Sequence, residues 1–238
     1  MEYPSCECFN RSGPSAPWHE VEFHFDVQDT TCQAWYVLLD YIDDICKRGG
    51  EDFTPFEVLG AERYHDIVTL PKEIRQLKSV KKIHLYASNI SCIPPDIGEM
   101  ESLEYFDVYT SNRLHWVPYE IIHCPKLSYS RMSTRRFYGN CKIKPPFPSL
   151  KDNPMRFGSL GDSCSVCGDE ILPPKQLQQY WVSMYFATDQ MPMLASICSD
   201  ECLSRIFPPE VNRILPPHLG GLENRRRTKT NHLRKPND

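Results

Sequence analysis

Four cysteines carry the sharpest chemical signal in the chain: Cys164-Ser-Val-Cys167-Gly168 and, after residues 168–197, Cys198-Ser-Asp-Glu-Cys202. Thiolates are soft ligands, and two closely spaced pairs can bring four sulfurs to about 2.3 Å from one ion, which is what tetrahedral zinc requires. Four protein sulfurs leave no position for water or substrate, so the expected Zn2+ is structural. The competing readings are four unlinked thiols, or a redox pair at Cys164 and Cys167. The chain has 238 residues and 11 cysteines. That count is odd, and the chain is far longer than a disulfide-stapled mini-protein, so a metal site plus free thiols is the better use. Cys6, Cys8, Cys32, Cys46, Cys92, Cys124 and Cys141 are assigned no role beyond packing.

A second constellation is spread more widely. His84, Asp107 and Arg131 recur at steps of 23 and 24 residues. Asp107 orienting His84 as a general base would suit a hydrolase. No serine or cysteine is placed as its nucleophile, however, because Ser88 falls at a turn, so the hydrolase reading ranks last.

What would align those three residues is a repeated apolar skeleton from Ile67 to Met132. The middle unit has Val80, Ile83, Leu85, Ile90, Ile93, Ile97 and Met100. Subtracting 23 from its last four gives Ile67, Leu70, Ile74 and Leu77. Going forward by 23 gives Leu103, Phe106 and Val108, after which Leu114, Val117, Ile121 and Cys124 follow at 24, so one residue is inserted between Val108 and Leu114. Leu127, Ser130 and Met132 draw a last strand, whose buried serine suggests that the array is ending. Such a skeleton predicts one short strand and one helical or 3₁₀ segment per turn, stacked as a short leucine-rich repeat solenoid. The residues flanking the buried strand positions then share the concave face: Lys82, His84 and Tyr86, then Tyr105, Asp107 and Tyr109, then Tyr129, Arg131 and Ser133. Equivalent positions on adjacent strands lie about 4.8 Å apart. Tyrosine around a charged row suits a protein-binding patch, whereas the alternative is a cross-strand ladder that satisfies itself.

The flanks supply caps. Val21, Phe23, Phe25 and Val27 alternate with Glu20, Glu22, His24 and Asp26 as in a half-wet strand, with His24 toward solvent. A helix follows with Asp29 or Thr30 as N-cap, Trp35, Leu38, Leu39, Ile42 and Ile45 at helical spacing, and a stop at Lys47-Arg48-Gly49. Asp40, Asp43 and Asp44 on its other side suit solvent better than a metal. Phe53 to Tyr64 fits a helix or a degenerate repeat strand. Pro145, Pro146 and Pro148 make a stiff connector. Between the cysteine pairs, Tyr180 to Ile197 predicts a hairpin turning at Asp189 to Pro192, and beyond Ser199 the chain turns helical through Ile206. Knuckle, hairpin and ligand-bearing helix is a treble-clef order; the Cys-Ser-x-x-Cys helix start resembles the TRASH and MYM-type treble clefs, departing from them in the long gap and in Ile197.

The net charge of -4 disfavours nucleic acid except through a local patch. Such a patch exists in Arg135 and Arg136 and in the tail, with Arg225, Arg226, Arg227, Lys229, Arg234 and Lys235. Met1 to Asn10 has no signal-peptide run, and no stretch approaches 18 uncharged apolar residues, so the expectation is a cytoplasmic protein with no membrane contact.

Three strings, Tyr109-Thr-Ser-Asn-Arg-Leu-His-Trp-Val-Pro-Tyr-Glu-Ile121, Ser133-Thr-Arg-Arg-Phe-Tyr-Gly-Asn140 and Pro145-Pro-Phe-Pro148, resemble those of bacterial leucine-rich-repeat domain proteins with a cysteine-rich C-terminal module. The resemblance covers roughly 33–209 and implies an architecture and a zinc module, with no catalytic residues. The expected fold is therefore α/β: an irregular N-terminus (1–19), a strand-helix cap (20–65), leucine-rich repeats with a proline-rich connector (66–150), a four-cysteine zinc-binding treble-clef-like module (151–210) and a disordered basic tail (211–238). The expected function is binding of a protein partner through the concave face, with nucleic-acid binding through the treble clef and tail as the alternative.

Overall fold

The computed structural model describes residues 21, 26–139, 146–152, 162–171, 177–186, 189–206 and 213–221. The 1–19 stretch, residues 22–25 of the expected first strand (His24 among them), Cys6, Cys8, Cys141 and the arginines and lysines from Arg225 to Lys235 lie outside them. Among the described residues the chain is a mixed α/β protein with a four-stranded parallel sheet, a four-stranded mixed sheet and a two-stranded antiparallel ribbon, few helices, and a cysteine cluster toward its C-terminal side.

Before residue 133 the described strands are β1 (Asp52–Phe53), β2 (Lys82–His84), β3 (Tyr105–Val108), β4 (Val117–Pro118) and β5 (Tyr129–Met132). The parallel sheet runs β1-β2-β3-β5, with Lys82 opposite Tyr105 opposite Tyr129. The register therefore equals the sequence steps of 23 and 24. Each strand is followed or preceded by a 3₁₀ turn at the same steps: Lys72–Gln76, Pro95–Glu99 and Tyr119–His123. Pro71, Pro94 and Pro118 stand just before them with φ of -70, -72 and -67, values that the pyrrolidine ring imposes and that suit entry into a helical turn. Every apolar residue of the skeleton from Ile67 to Cys124 is 2% exposed or less. Ser130 is buried with them.

Hydroxyls hold the turns on each other. Ala87 and Thr110, 23 apart, both take a left-handed φ (+54 and +62), and the next residues, Ser88 and Ser111, meet hydroxyl to hydroxyl at 2.8 Å. Ser111 Oγ donates to the Leu85 carbonyl and accepts the Ser88 N–H, and Ser133 Oγ accepts the Thr110 N–H. The inserted residue falls between Ser111 and Leu114. There Arg113 clamps Asp26 with Nη2 at 2.6 and 2.7 Å from its two carboxylate oxygens.

The N-terminal cap departs from expectation. Val27, placed on a buried face by the alternation, is 85% exposed. The chain instead runs across the turns: Gln28 bonds Val68 N–H and the Asp66 carbonyl, the Asp26 N–H bonds Ser91 Oγ, and the Asp26 carboxylate reaches Arg113. Helix α1 (Gln33–Arg48) starts later than predicted, with Cys32 at its N-cap and no side-chain cap bond. Asp29 spends its carboxylate on Thr31, whose hydroxyl and N–H hold it below the usual carboxylate range. Ala34, Leu38, Ile42 and Ile45 form the buried stripe, Trp35 and Leu39 are only half-buried, and Gly49 ends the helix at φ +68. Asp43 and Asp44 pair with Lys47 and Arg48 one turn on, as solvated carboxylates do. In the ambiguous 53–64 stretch Phe56, Val58 and Leu59 are helical, and only Phe53 is strand. Phe53 pairs opposite Ile83 as the first strand of the sheet, and Pro55–Tyr64 is helix α2, interrupted at Gly60 (φ +67).

The C-terminal half adds β6 (Asp162–Ser163), β7 (Glu170–Ile171), β8 (Gln178–Phe186), β9 (Asp189–Ile197), α3 (Asp200–Arg205) and β10 (Arg213–His218). Phe186 faces Asp189 across the hairpin, so the turn comes before Asp189, and Pro192 lies within β9 opposite Ser183. The tail expected to be disordered from residue 211 supplies β10, antiparallel to β8. Its Pro216 and Pro217 are tolerated because it is an edge strand. At the other edge β9 pairs in parallel with β4, Met193 opposite Val117 and Leu194 opposite Pro118. One sheet thus crosses the expected 150/151 boundary.

That sheet is buried on both faces. Val182, Met184, Met191, Met193, Ala195 and Ile197 join the main core, while Trp181 and Leu194 join a second cluster with Val21, Cys92, Trp116, Tyr138, Phe147 and Leu150. Trp181 is the hub: Trp116, Tyr138 and Phe147 lie 6.1, 5.5 and 5.5 Å from it, and its indole N–H donates to the Pro148 carbonyl at 2.9 Å. Those partners come from the three strings singled out by resemblance, so all three converge on one joint.

Stacking of the 3₁₀ turns has a direct test. A Cβ on Gly98 would sit 2.5 Å from the Glu120 carbonyl oxygen of the next turn. Backbone cannot swing aside as a side-chain end can, so Gly98→Ala is expected to lower stability by about 1–3 kcal/mol. Urea unfolding measures this; an unchanged midpoint would contradict the packing.

Candidate metal centre and tyrosine face

The two cysteine pairs are built by different local devices. Cys164 to Cys167 lies in the tight turn between β6 and β7, closed by Cys164 N–H to the Asp169 carbonyl and Gly168 N–H to the Cys164 carbonyl, with Gly168 at φ +77. Cys198 and Cys202 straddle the start of α3, where Ser199 is the N-cap and its hydroxyl accepts the Cys202 N–H at 3.2 Å. Ser165 locks the two halves together, its N–H on the Ser196 carbonyl and its hydroxyl accepting the Ser196 N–H.

The four sulfurs lie within 4.8 Å of one another. Cys167 Sγ to Cys198 Sγ is 3.6 Å and Cys198 Sγ to Cys202 Sγ is 3.7 Å. A tetrahedron with arms of about 2.3 Å has edges of about 3.8 Å, whereas a disulfide needs about 2.05 Å. The spacing is that of ligands around one ion. Cys164 and Cys202 are buried, Cys198 half-buried and Cys167 exposed.

Electrostatics point the same way. Burial pushes the Cys164 thiol up, but the N–H groups of Cys167, Val166 and Cys198 around its sulfur outweigh this and bring it below the ordinary thiol range. Cys167 gains some lowering from the Asp169 N–H, yet burial and three neighbouring sulfurs drive it up, and Cys198 rises through burial and its neighbours. Protons here belong to the cluster as a whole. A metal cation held among the four sulfurs would resolve the conflict by favouring every thiolate.

The 3₁₀ turn Tyr119–His123 carries the joint between this cluster and the repeated strands. Tyr119 Oη donates to the Ile206 carbonyl at 2.8 Å. The Glu120 carboxyl is enclosed although its residue is only half-buried; burial raises it to about 7, with the Ser165 hydroxyl pulling it back and Asp96 pushing it up. Sequence reasoning passed over Glu120. The available signal was the recurrence of an acid at Glu73, Asp96 and Glu120 on the same steps.

On the parallel sheet, register sets His84 opposite Asp107 opposite Arg131, as the steps predict. The His84–Asp107 dyad does not form. His84 Nε2 lies 3.6 Å from Asp52, which also faces Lys82 Nζ at 3.9 Å. Asp107, its side chain 6% exposed, accepts from Tyr105 Oη at 3.1 Å, the Tyr109 N–H at 2.9 Å and Arg131 Nη1 at 3.4 Å. Ser88 is buried, its hydroxyl engaged with that of Ser111. The hydrolase reading therefore has neither its base pair nor its nucleophile here.

The aromatic rows do form. Tyr105 stacks on Tyr129 at 5.4 Å and 11°, and Tyr86 lies 6.1 Å from Tyr109. The Arg131 guanidinium lies 4.6 Å over Tyr109 and 5.5 Å from Tyr86. Arg135, from the basic patch, is exposed on the turn Thr134–Arg136 after β5, and Arg136 gives its carbonyl to His115 Nδ1. Among the described residues no helix is long and apolar enough to cross a membrane. No known family and no curated protein matches the chain.

Two outcomes test the centre. Metal analysis of the purified chain is expected to give about one zinc per chain, lost on Cys202→Ser, and chelation to lower the unfolding midpoint; a metal-free chain of unchanged stability would refute a structural role. For Glu120, the folded state keeps a proton that the unfolded state releases between its ordinary 4.5 and about 7, so stability falls as pH rises through that window and levels above it. Glu120→Gln is expected to be more stable than the parent at pH 8, the difference shrinking toward pH 4.5, as followed by urea midpoints against pH.

Proposed function

We propose that the chain is a protein-binding scaffold: a short leucine-rich repeat solenoid, closed by a strand-helix cap at one end and a zinc-bearing treble-clef-like module at the other, offering its concave face to a partner protein. The observation that carries this reading is the tyrosine face itself. Tyr86, Tyr109 and Tyr129 are 48, 39 and 52% exposed although large and held against neighbouring rings, Tyr129 stacked on Tyr105 and Tyr86 tilted against Tyr109, and Arg131 stands among them. Rigid aromatics with arginine supply contact area at low entropic cost, which is how binding hot spots are composed. A cross-strand ladder serving only the fold would not need three half-exposed rings.

Zinc as the metal is supported by the all-thiolate donor set and the tetrahedral spacing, and a structural role by the closed first coordination sphere. The described cysteines are all free thiols, which suits a reducing cytoplasm. The resemblance to bacterial leucine-rich-repeat proteins with a cysteine-rich module agrees with both halves of the reading. Nucleic-acid binding finds less support, because a guanidinium nitrogen of Arg136 is buried and the exposed rows carry acids as well as bases.

The test is affinity capture from native extract with the parent chain and with Tyr105→Ala/Tyr129→Ala. The variant is expected to keep its zinc and its fold and to lose the partner. A variant that retained every protein captured by the parent would remove the face from the mechanism.

A further inference from the structure

The charges on the tyrosine face are unequally spent. Lys82 and His84 both look to Asp52, and at the N-terminal ends of the strands Lys81 is bound to Glu51 at 2.6 Å, with Glu104 close by. Arg131 differs. Its side chain is 48% exposed, and among the described residues its polar contact is Nη1 to Asp107 at 3.4 Å, at the limit of a hydrogen bond. Asp107 does not depend on it, since Tyr105 and the Tyr109 N–H already hold that carboxylate. Nε and Nη2 are left with donors to offer.

The guanidinium is nevertheless not loose. Its Cζ lies over the Tyr109 ring at 4.6 Å and over the Tyr86 ring at 5.5 Å, and these cation–π contacts offset part of the cost of ordering a long side chain before any ligand arrives. An ordered, half-desolvated planar fork with free donors fits a carboxylate, which it can take with two parallel hydrogen bonds. The charge behind it selects further. Asp107 is buried next to the fork, so a dianion such as phosphate would meet a fixed negative charge at close range, while a monoanion meets a smaller penalty. A nucleic-acid backbone is disfavoured for the same reason, with Glu51, Asp52 and Glu104 at those strand ends.

We propose that Arg131, set on Tyr86 and Tyr109 and backed by Asp107, is the anchor for an aspartate or glutamate side chain of an extended peptide segment of the partner, with the stacked Tyr105 and Tyr129 rings receiving an apolar neighbour of that acid. This rests on the reading of the face as a protein-binding surface and names the chemistry it takes. Tyr129 lies two residues from Arg131 on the same strand and face, roughly 7 Å away, the repeat of side chains along an extended peptide.

The probe is a random peptide library displayed on phage, selected on the immobilised zinc-loaded full chain. Enrichment of Asp or Glu two residues from an apolar residue is expected. For a synthetic peptide so selected, Arg131→Ala is expected to weaken binding about 10- to 100-fold. Arg131→Lys, which keeps Asp107 compensated and so guards against a folding defect, is expected to lose most of the same factor. Replacing the peptide acid by its amide should cost the parent chain as much and the Arg131→Ala chain almost nothing. Peptides without an acidic residue, or undiminished binding by both Arg131 variants while Tyr105→Ala/Tyr129→Ala abolishes it, would overturn the anchor and leave the binding face standing. Tighter binding of the phosphoserine version, or displacement by a 20-mer duplex, would overturn the choice of carboxylate. Absence of any selected peptide sensitive to the tyrosine variants would overturn anchor and face together.

Discussion

A parallel sheet whose strands are two to four residues long cannot hide its own apolar edges. Each end of the stack exposes a layer of Ile, Leu and Val that only another element can cover, and the rest of the molecule is arranged around that constraint. At the first end α1 lays Leu38, Ile42 and Ile45 on it, with Phe53 completing the sheet. At the other end β9 pairs with β4, and the hairpin puts Met191, Met193, Ala195 and Ile197 into the same core. Because that hairpin also buries Trp181 and Leu194 on its outer face, it needs a second cover, which the connector around Phe147 and the strand β10 supply. Gly220 comes so close to this joint that a Cβ would stand 2.0 Å from the Pro148 carbonyl oxygen.

The cysteine cluster belongs to the same chain of dependence. Its knuckle hangs from β9 through Ser165 and Ser196, and its helix is tied to the repeated turns through Tyr119 and Ile206. Four thiolates around one cation would cross-link this segment where Cys164, Ile171, Cys202 and Ile206 join the main core. The tyrosine face lies on the opposite side of the strands from the buried skeleton, where side-chain alternation leaves it in solvent.

Much of this was legible beforehand because periodic burial leaves periodic sequence. Ile83 and Phe106 are buried because each occupies the same place in successive turns, and the step of 23 that shows the pattern is the register of the sheet. The cysteine pairs were legible for a similar reason, since turn geometry and ligand spacing are both local. Other features left no local mark. Val27 alternates correctly and is exposed, because the segment is held by Gln28 and Asp26 bonding to distant turns and not by sheet pairing. Asp29 had the chemistry of a helix cap and spent it on Thr31. Arg213 to His218 looked like a solvated tail because two prolines and neighbouring charges hide an edge strand.

The sequence by itself therefore determined the spacing of strands, the identity of the buried skeleton, the four sulfurs and which residues share the exposed rows, all of which follow from residue type at short or repeated intervals. Tertiary structure decided the rest: that β4 and β9 merge two expected domains into one sheet, that the three strings meet at Trp181, and that His84 turns to Asp52 while Asp107 is buried beneath Arg131. Those outcomes depend on which of several available partners a side chain reaches once the chain is packed, and the competition is settled by distances between residues far apart in sequence.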